Sequence, residues 1–173
     1  MLAIIALGSN LGDSRAIILD AMARLQKFSD EPVLKSSLWQ TTPVDCPPDS
    51  PKFLNAIIGL VPRKNETPES LLKKLQGLEK EFGRAPKKVQ NEPRSLDLDL
   101  IAFGNEVRLA APKQGEGGNT PELVLPHPRA HLRRFVLQPL SEIALDLILP
   151  NQTKTVWQLL AELKTDEVLT NVV

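Results

Sequence analysis

The stretch Ser95-Leu96-Asp97-Leu98-Asp99-Leu100-Ile101 sets two carboxylates two residues apart inside an apolar run. Side chains alternate between faces along a β-strand, so Leu96, Leu98 and Leu100 share one face and Asp97 and Asp99 the other, with the aspartate Cα atoms roughly 6.5–7 Å apart. The leucines suit a core. The carboxylates repel one another, more strongly as water is removed, and a polyvalent cation between them turns that repulsion into attraction. Donors that are oxygen only suit Mg²⁺, which is usually held by one or two carboxylates plus substrate phosphates and water. Taken alone, two aspartates at this spacing are more often the polar face of a half-exposed strand, so the metal reading depends on what the rest of the chain brings to them.

The chain brings cations. Arg84, Arg94, His127, Arg129, Arg133 and Arg134 stand near the aspartates or in later segments able to return to them. Two carboxylates with several arginines are what phosphoryl transfer uses, because catalysis there is mostly positioning and charge neutralisation by metal ions and arginine forks. Two metal ions could grip both the attacking and the leaving oxygen. Each arginine by itself is as readily a solvated surface residue, and Lys87 and Lys88 more so. His127, rigidly placed between Pro126 and Pro128, is either a donor to phosphate or a structural hydrogen-bonder, and His131 is assigned to structure. Two histidines at i and i+4 among prolines, with no third ligand, make no zinc site. Cys46 is the only cysteine, which excludes a disulfide framework or a cysteine zinc cluster. It has no histidine nearby in sequence, and no G-x-S-x-G elbow is present.

The elements that must position these residues follow from periodicity. Residues 2–7 read as a central strand, too short and too lacking in a basic lead to be a signal peptide. Gly8 to Asp13 read as a turn, without the Gly-Lys-Ser/Thr ending of a phosphate loop, and Asp13 or Ser14 caps a helix striped by Ile18, Ala21, Met22, Leu25 and Phe28. An extended stretch over 33–41, a proline-rich loop over 42–51 and a strand over 53–61 come next. Thr67 caps a second helix with Pro68 at its first position and a stripe of Leu71, Leu75, Leu78 and Phe82, ended by Gly83. A basic loop over 84–94 leads into the strand of aspartates. A turn at 104–106, a short return strand at 107–109, a polar insertion over 112–121, a helical turn at 131–134, a core segment at 135–137 and a terminal helix marked by Val156, Leu159, Leu160 and Leu163 complete the chain. Strand, helix, strand, strand, helix, strand is the split βαβ order of a ferredoxin-like α+β sandwich, with a sheet on one side, two helices on the other and a C-terminal extension. The 173 residues fit one domain, 1–173. Lysine plus arginine equal aspartate plus glutamate at 21 each, so no overall field favours nucleic acid or an anionic membrane. No stretch is long enough for a membrane span, and the lone cysteine is compatible with a reducing cytoplasm.

Several separated motifs match one family. They are Leu7-Gly8-Ser9-Asn10-Leu11-Gly12, Thr41-Thr42-Pro43-Val44, Phe53-Leu54-Asn55-Ala56, Glu79-Lys80-Glu81-Phe82-Gly83-Arg84, Pro93-Arg94-Ser95-Leu96-Asp97-Leu98-Asp99-Leu100, Leu125-Pro126-His127-Pro128-Arg129 and Arg134-Phe135-Val136-Leu137-Gln138-Pro139-Leu140. Over roughly residues 2–150 the chain resembles the 6-hydroxymethyl-7,8-dihydropterin pyrophosphokinases of folate biosynthesis. The resemblance implies transfer of pyrophosphate from ATP to the hydroxymethyl group of the reduced pterin, with release of AMP. It implies that Asp97 and Asp99 bind two Mg²⁺ ions bridging the ATP phosphates, that Arg94 and His127 contact those phosphates, and that Arg84 lies in a loop closing over them. Arg133 falls where the family has a basic residue near the phosphates. Glu79 and Leu100 would line the nucleotide site, and Thr41, Pro43, Val44, Phe53, Asn55 and Phe135 the pterin pocket. A flat heterocycle stacks between aromatic rings, here Phe53 and Phe135, and its amide-like edge needs a two-way partner such as Asn55. ATP and the reduced pterin are the expected partners, with no nucleic acid and no membrane, for a cytoplasmic monomer.

The chain departs from the family in the basic loop. Pro86 stands where many members have a second arginine, Asn91-Glu92 replace a tryptophan-glycine pair, and the insertion around 115–119 is unusual. These changes bear on rate and on loop closure more than on metal binding. Lys87 or Lys88 could restore the missing charge, which steady-state turnover of Lys87→Ala and Lys88→Ala would report. They also motivate a second reading, a pterin- or nucleotide-binding homologue weakened in catalysis. A third is another Mg²⁺-dependent phosphoryl or glycosyl transferase, which would not bind the pterin.

Overall fold

The computed structural model describes residues 1–41, 52–83, 95–109 and 123–172. At its centre is strand β1 (Ala3–Ser9), buried along nearly its whole length. It pairs antiparallel with β4 (Phe53–Leu60) on one side and with β5 (Asp97–Phe103) on the other. Beyond β4 lies β3 (Leu38–Thr41), with the short β2 (Leu34–Lys35) also on β4, and β6 (Leu169–Val172) pairs antiparallel with β3. The path β5-β1-β4-β3-β6 leaves β5 and β6 at the sheet's two ends.

Helices α1 (Ser14–Leu25) and α2 (Pro68–Glu81) cover one face. Asp13 caps α1 by accepting the Ala16 N–H, and α2 begins on a capping box between Thr67 and Ser70. Ile18, Ala21, Met22 and Leu25 of α1 and Leu71, Leu75 and Leu78 of α2 form one core with Ile5, Leu7, Ala56, Ile58, Leu98 and Leu100. The alternate residues of the same strands, Ile4 and Ile57, enter a second core with Val136, Leu137 and Leu140 of α3 (Arg134–Ile143) and Val156 of α4 (Val156–Glu162). The sheet is therefore a middle layer, where a one-sided sandwich was expected. Isoleucines on both faces of β1 and β4 require apolar cover on both.

A register shift opposite Ile4/Ile5 leaves Ile101 without its own ladder partner. As at any bulge, the alternation slips by one. Ile101 and Ala102 both reach the α3/α4 core, and Phe103 rejoins Leu96, Leu98 and Leu100 in the other.

Several expected elements differ. Gly8 and Ser9 continue β1 instead of turning the chain. The extended stretch over 33–41 divides at Ser36, whose N–H donates to Ile57 O and whose Oγ accepts the Ile57 N–H, so a side chain completes the ladder between β2 and β3. The return strand at 107–109 reduces to one bridge, Arg108 to Leu125. The turn at 131–134 and core segment at 135–137 are instead a 3-10 turn, Ala130–Leu132, followed by helix α3, which runs through Pro139. Strand β6 was not anticipated. The loops read at 42–51 and 84–94 and the insertion at 112–121 fall outside the described residues, with Cys46, Pro86, Lys87, Lys88, Asn91 and Glu92 among them.

Candidate active site

The site lies on the α3/α4 face of the sheet, at the end of β1 where Gly8 stands. In an antiparallel ladder, residues directly opposite project to the same face. Asp97 is opposite Gly8, Gly8 opposite Asn55 and Asn55 opposite Trp39, giving one row across four strands. The next row holds Asp99, Ala6 and Ile57. Both aspartates are half-buried, while Leu98 and Leu100 between and beyond them are buried on the other face. Asp97 and Asn55 are two strand spacings apart, about 9.5 Å. Only the hydrogen of Gly8 and the methyl of Ala6 rise between the two strands, so the sheet there is a shelf. A Cβ on Gly8 would sit 3.2 Å from Asn55 Oδ1 and 3.9 Å from Phe53 Cδ1.

On the shelf's far side, the Asn55 Nδ2 amide donates to Thr41 Oγ1 at 2.7 Å, and both residues are buried. This bond fixes the amide plane. Phe53 is opposite Thr41 in the ladder and so shares their face.

Cations stand over the acidic side. The Leu125–Pro126 peptide is cis, and the next residue, His127, donates its backbone N–H to Ile101 O at 2.8 Å, which ties the segment to β5. The Arg129 N–H donates to His127 Nδ1 at 3.2 Å, leaving the ring proton of a neutral imidazole on Nε2. Burial above all, then Arg133 and Arg129, push the His127 pKa down to about 4, against the opposing pull of Asp97. Arg133 feels burial, which pushes its pKa down, and Asp99, which is the strongest influence raising it. Its guanidinium carbon lies 5.2 Å from the Phe135 ring centroid, a cation–π contact. Asp97, Asp99, His127, Arg133 and Phe135 thus gather around one end of the shelf.

Glu79 and Leu100 sit behind it. Strand β5 is an edge, and the outward Leu98 N–H is accepted by the buried Glu79 Oε2 at 3.0 Å. Leu100 has its side chain in the α1/α2 core, so only its main chain can face a ligand. Main-chain groups two residues apart point the same way along a strand, which aims the Leu100 N–H and C=O outward as well. Pro43, Val44, Arg84 and Arg94 lie outside the described residues. Sequence reading missed the floor itself. Its signal is a glycine and an alanine on one face of an otherwise bulky strand.

Among the described residues no group of three or more His, Cys, Asp or Glu could hold a metal ion, so the candidate donor set is the two carboxylates alone. No described helix is long and apolar enough to cross a membrane.

A carboxylate pair faced by an arginine and a histidine is the kind of set that phosphoryl-transfer sites use. The particular family is shown by similarity. Residues 4–145 match the model of 7,8-dihydro-6-hydroxymethylpterin-pyrophosphokinase, and the chain belongs to that family of folate-synthesis pyrophosphokinases. It is 38% identical over 143 residues to the 2-amino-4-hydroxy-6-hydroxymethyldihydropteridine pyrophosphokinase of Bacillus subtilis, covering 82% of this chain and 77% of that one. The enzyme of that name from Haemophilus influenzae is 37% identical over 150 residues, 86% of this chain and 85% of its own. A folic acid synthesis protein of Pneumocystis carinii is 36% identical over 146 residues, 84% of this chain but only 18% of that much longer protein. The fold is similar to that of Plasmodium falciparum HPPK-DHPS solved with pteroate, with a TM-score of 0.72 at 14% identity, over 93% of this chain and 43% of that one.

Proposed function

We propose that the chain transfers pyrophosphate from ATP to the hydroxymethyl group of 6-hydroxymethyl-7,8-dihydropterin. The hydroxyl oxygen bonds to the β-phosphorus, the bond from that phosphorus to the α,β-bridging oxygen breaks, AMP leaves with that oxygen, and the hydroxyl proton passes to solvent. The observation that carries this reading is the row Asp97–Gly8–Asn55 with Asp99 and Ala6 in the row beside it, which sets a carboxylate pair and an amide at the two ends of one flat floor.

Asn55, oriented by Thr41, offers the pterin edge both an acceptor and a donor. Phe53 and Phe135 supply faces for the ring, with Pro43 and Val44 completing the pocket. Two oxygen-only carboxylates fit Mg²⁺, which leaves its remaining positions to phosphate and water, and Asp97 and Asp99 would hold two such ions. Bound there, Mg²⁺ supplies charge neutralisation at the phosphates. His127 donates from Nε2 to a phosphate oxygen, Arg133 faces the same charge, and Arg84 and Arg94 add forks from the basic loop. Glu79 and the Leu100 main chain border the nucleotide. The strand order and the two helices on one face support a ferredoxin-like core within one domain, 1–173. We read the protein as a cytoplasmic monomer acting on small molecules.

The test is AMP release from ATP, Mg²⁺ and the reduced pterin. Turnover dependent on all three supports the reaction. Calorimetric binding of the pterin without AMP release would favour the weakened homologue, which Pro86 and Glu92 motivate. Failure to bind the pterin would overturn both.

A further inference from the structure

Helix α3 carries Phe135 and is preceded by Arg133, but it has no cap of its own. Arg133 occupies the capping position and makes no side-chain cap bond, and the first turn contains no acidic residue. An arginine has no acceptor to offer, and uncapped first-turn N–H groups leave a helix end prone to fray. The missing acceptor comes from 33 residues away. Glu167 Oε2 accepts the Arg134 N–H at 2.9 Å and also the Thr165 hydroxyl at 3.0 Å, while the Glu167 N–H donates to Thr165 Oγ1 at 3.3 Å. Glu167 is half-buried, and its charge also acts on Arg133. Directly after it, β6 pairs with β3, placing Leu169 opposite Thr41. One segment, beyond the matched residues 4–145, thus braces both walls of the shelf.

We infer that Glu167 is a positioning residue for the site, capping α3 so that Arg133 and Phe135 are held over the acidic pair. The inference rests on the pyrophosphokinase reading above. Glutamine keeps an acceptor oxygen at this position and alanine removes it. Steady-state kinetics on the full chain, at a temperature where far-UV circular dichroism shows every variant folded, separate the two. Glu167→Ala should lower kcat/KM for ATP about tenfold, and Glu167→Gln should stay within about twofold of the unaltered protein. A residue that only added stability would lower Tm and leave kcat/KM unchanged under these conditions. Glu167→Ala kinetics equal to those of the unaltered protein, or an equal loss in Glu167→Gln, would overturn the inference. Should Glu167→Ala not fold, Thr165→Val decides in its place: a loss of about threefold supports the cap and unaltered kinetics overturn it. If the unaltered protein itself releases no AMP, the pyrophosphokinase reading falls and takes this one with it; if it does, only the variants bear on Glu167.

Discussion

On the proposed reading, Asp97 and Asp99 would differ from Asn55 in what they meet during the reaction. Charge shifts at the phosphates while the pterin ring is unchanged, so groups holding metal act mainly on the transition state. Asp97→Ala or Asp99→Ala should lower turnover by about a hundredfold or more, while calorimetry shows pterin affinity within about threefold. Near-normal turnover in either variant would refute the metal role. Gly8 should behave in the opposite way. A methyl there presses on Asn55 Oδ1 at 3.2 Å, and Thr41 leaves that amide little room to retreat. Gly8→Ala should weaken pterin binding roughly tenfold and Mg²⁺-ATP binding much less; equal losses for both ligands would mean that the floor does not divide the site in this way. His127 sets a pH dependence. Its folded pKa of about 4 lies below the ordinary 6.5, so between those values the unfolded chain binds a proton that the folded chain does not. Stability should therefore fall as pH drops from about 6.5 to 4, and denaturant titrations of His127→Gln should show a shallower fall across that window.

At the scale of elements, capping and helical periodicity account for α1 and α2, and one residue of α2 opposes them. Gly77 lies inside the helix, and a Cβ there would meet nothing within 4 Å. Backbone freedom in the unfolded chain is then its main energetic consequence, and Gly77→Ala should stabilise the protein by up to about 1 kcal/mol, read as a higher denaturant midpoint at unchanged slope. Helix α3 was harder to read. Val136, Leu137, Leu140 and Ile143 have helical spacing, but Pro139 lacks the N–H that would bond the Phe135 carbonyl. Packing against the second core outweighs that one lost bond.

For the molecule as a whole, β1 and β4 contribute to both cores, so the two faces are not independent. Leu75→Ala on one face and Leu137→Ala on the other should each cost about 2–5 kcal/mol. Both variants should still unfold in a single transition, coincident by circular dichroism and tryptophan fluorescence. A separate early transition in Leu137→Ala would show that the α3/α4 layer melts on its own. The zero formal net charge means that no general field draws in a polyanion, so on the proposed reading the attraction would be local and come from arginines such as Arg133, with the neutral His127 contributing a hydrogen bond and no charge.

The sequence by itself determined the alternation of Leu96 to Leu100, the striped faces of α1 and α2 and the kinds of side chain at the site, because period, capping and donor chemistry are properties of neighbours along the chain. Only the tertiary structure decided that Gly8 and Ala6 floor the gap between Asp97 and Asn55, that Ser36 completes a ladder, and that Glu167 caps a helix begun 33 residues earlier. Those relations depend on register between strands and on which edge or helix end is left unsatisfied. Such vacancies exist only once the layers have come together, and no local pattern in the chain records them.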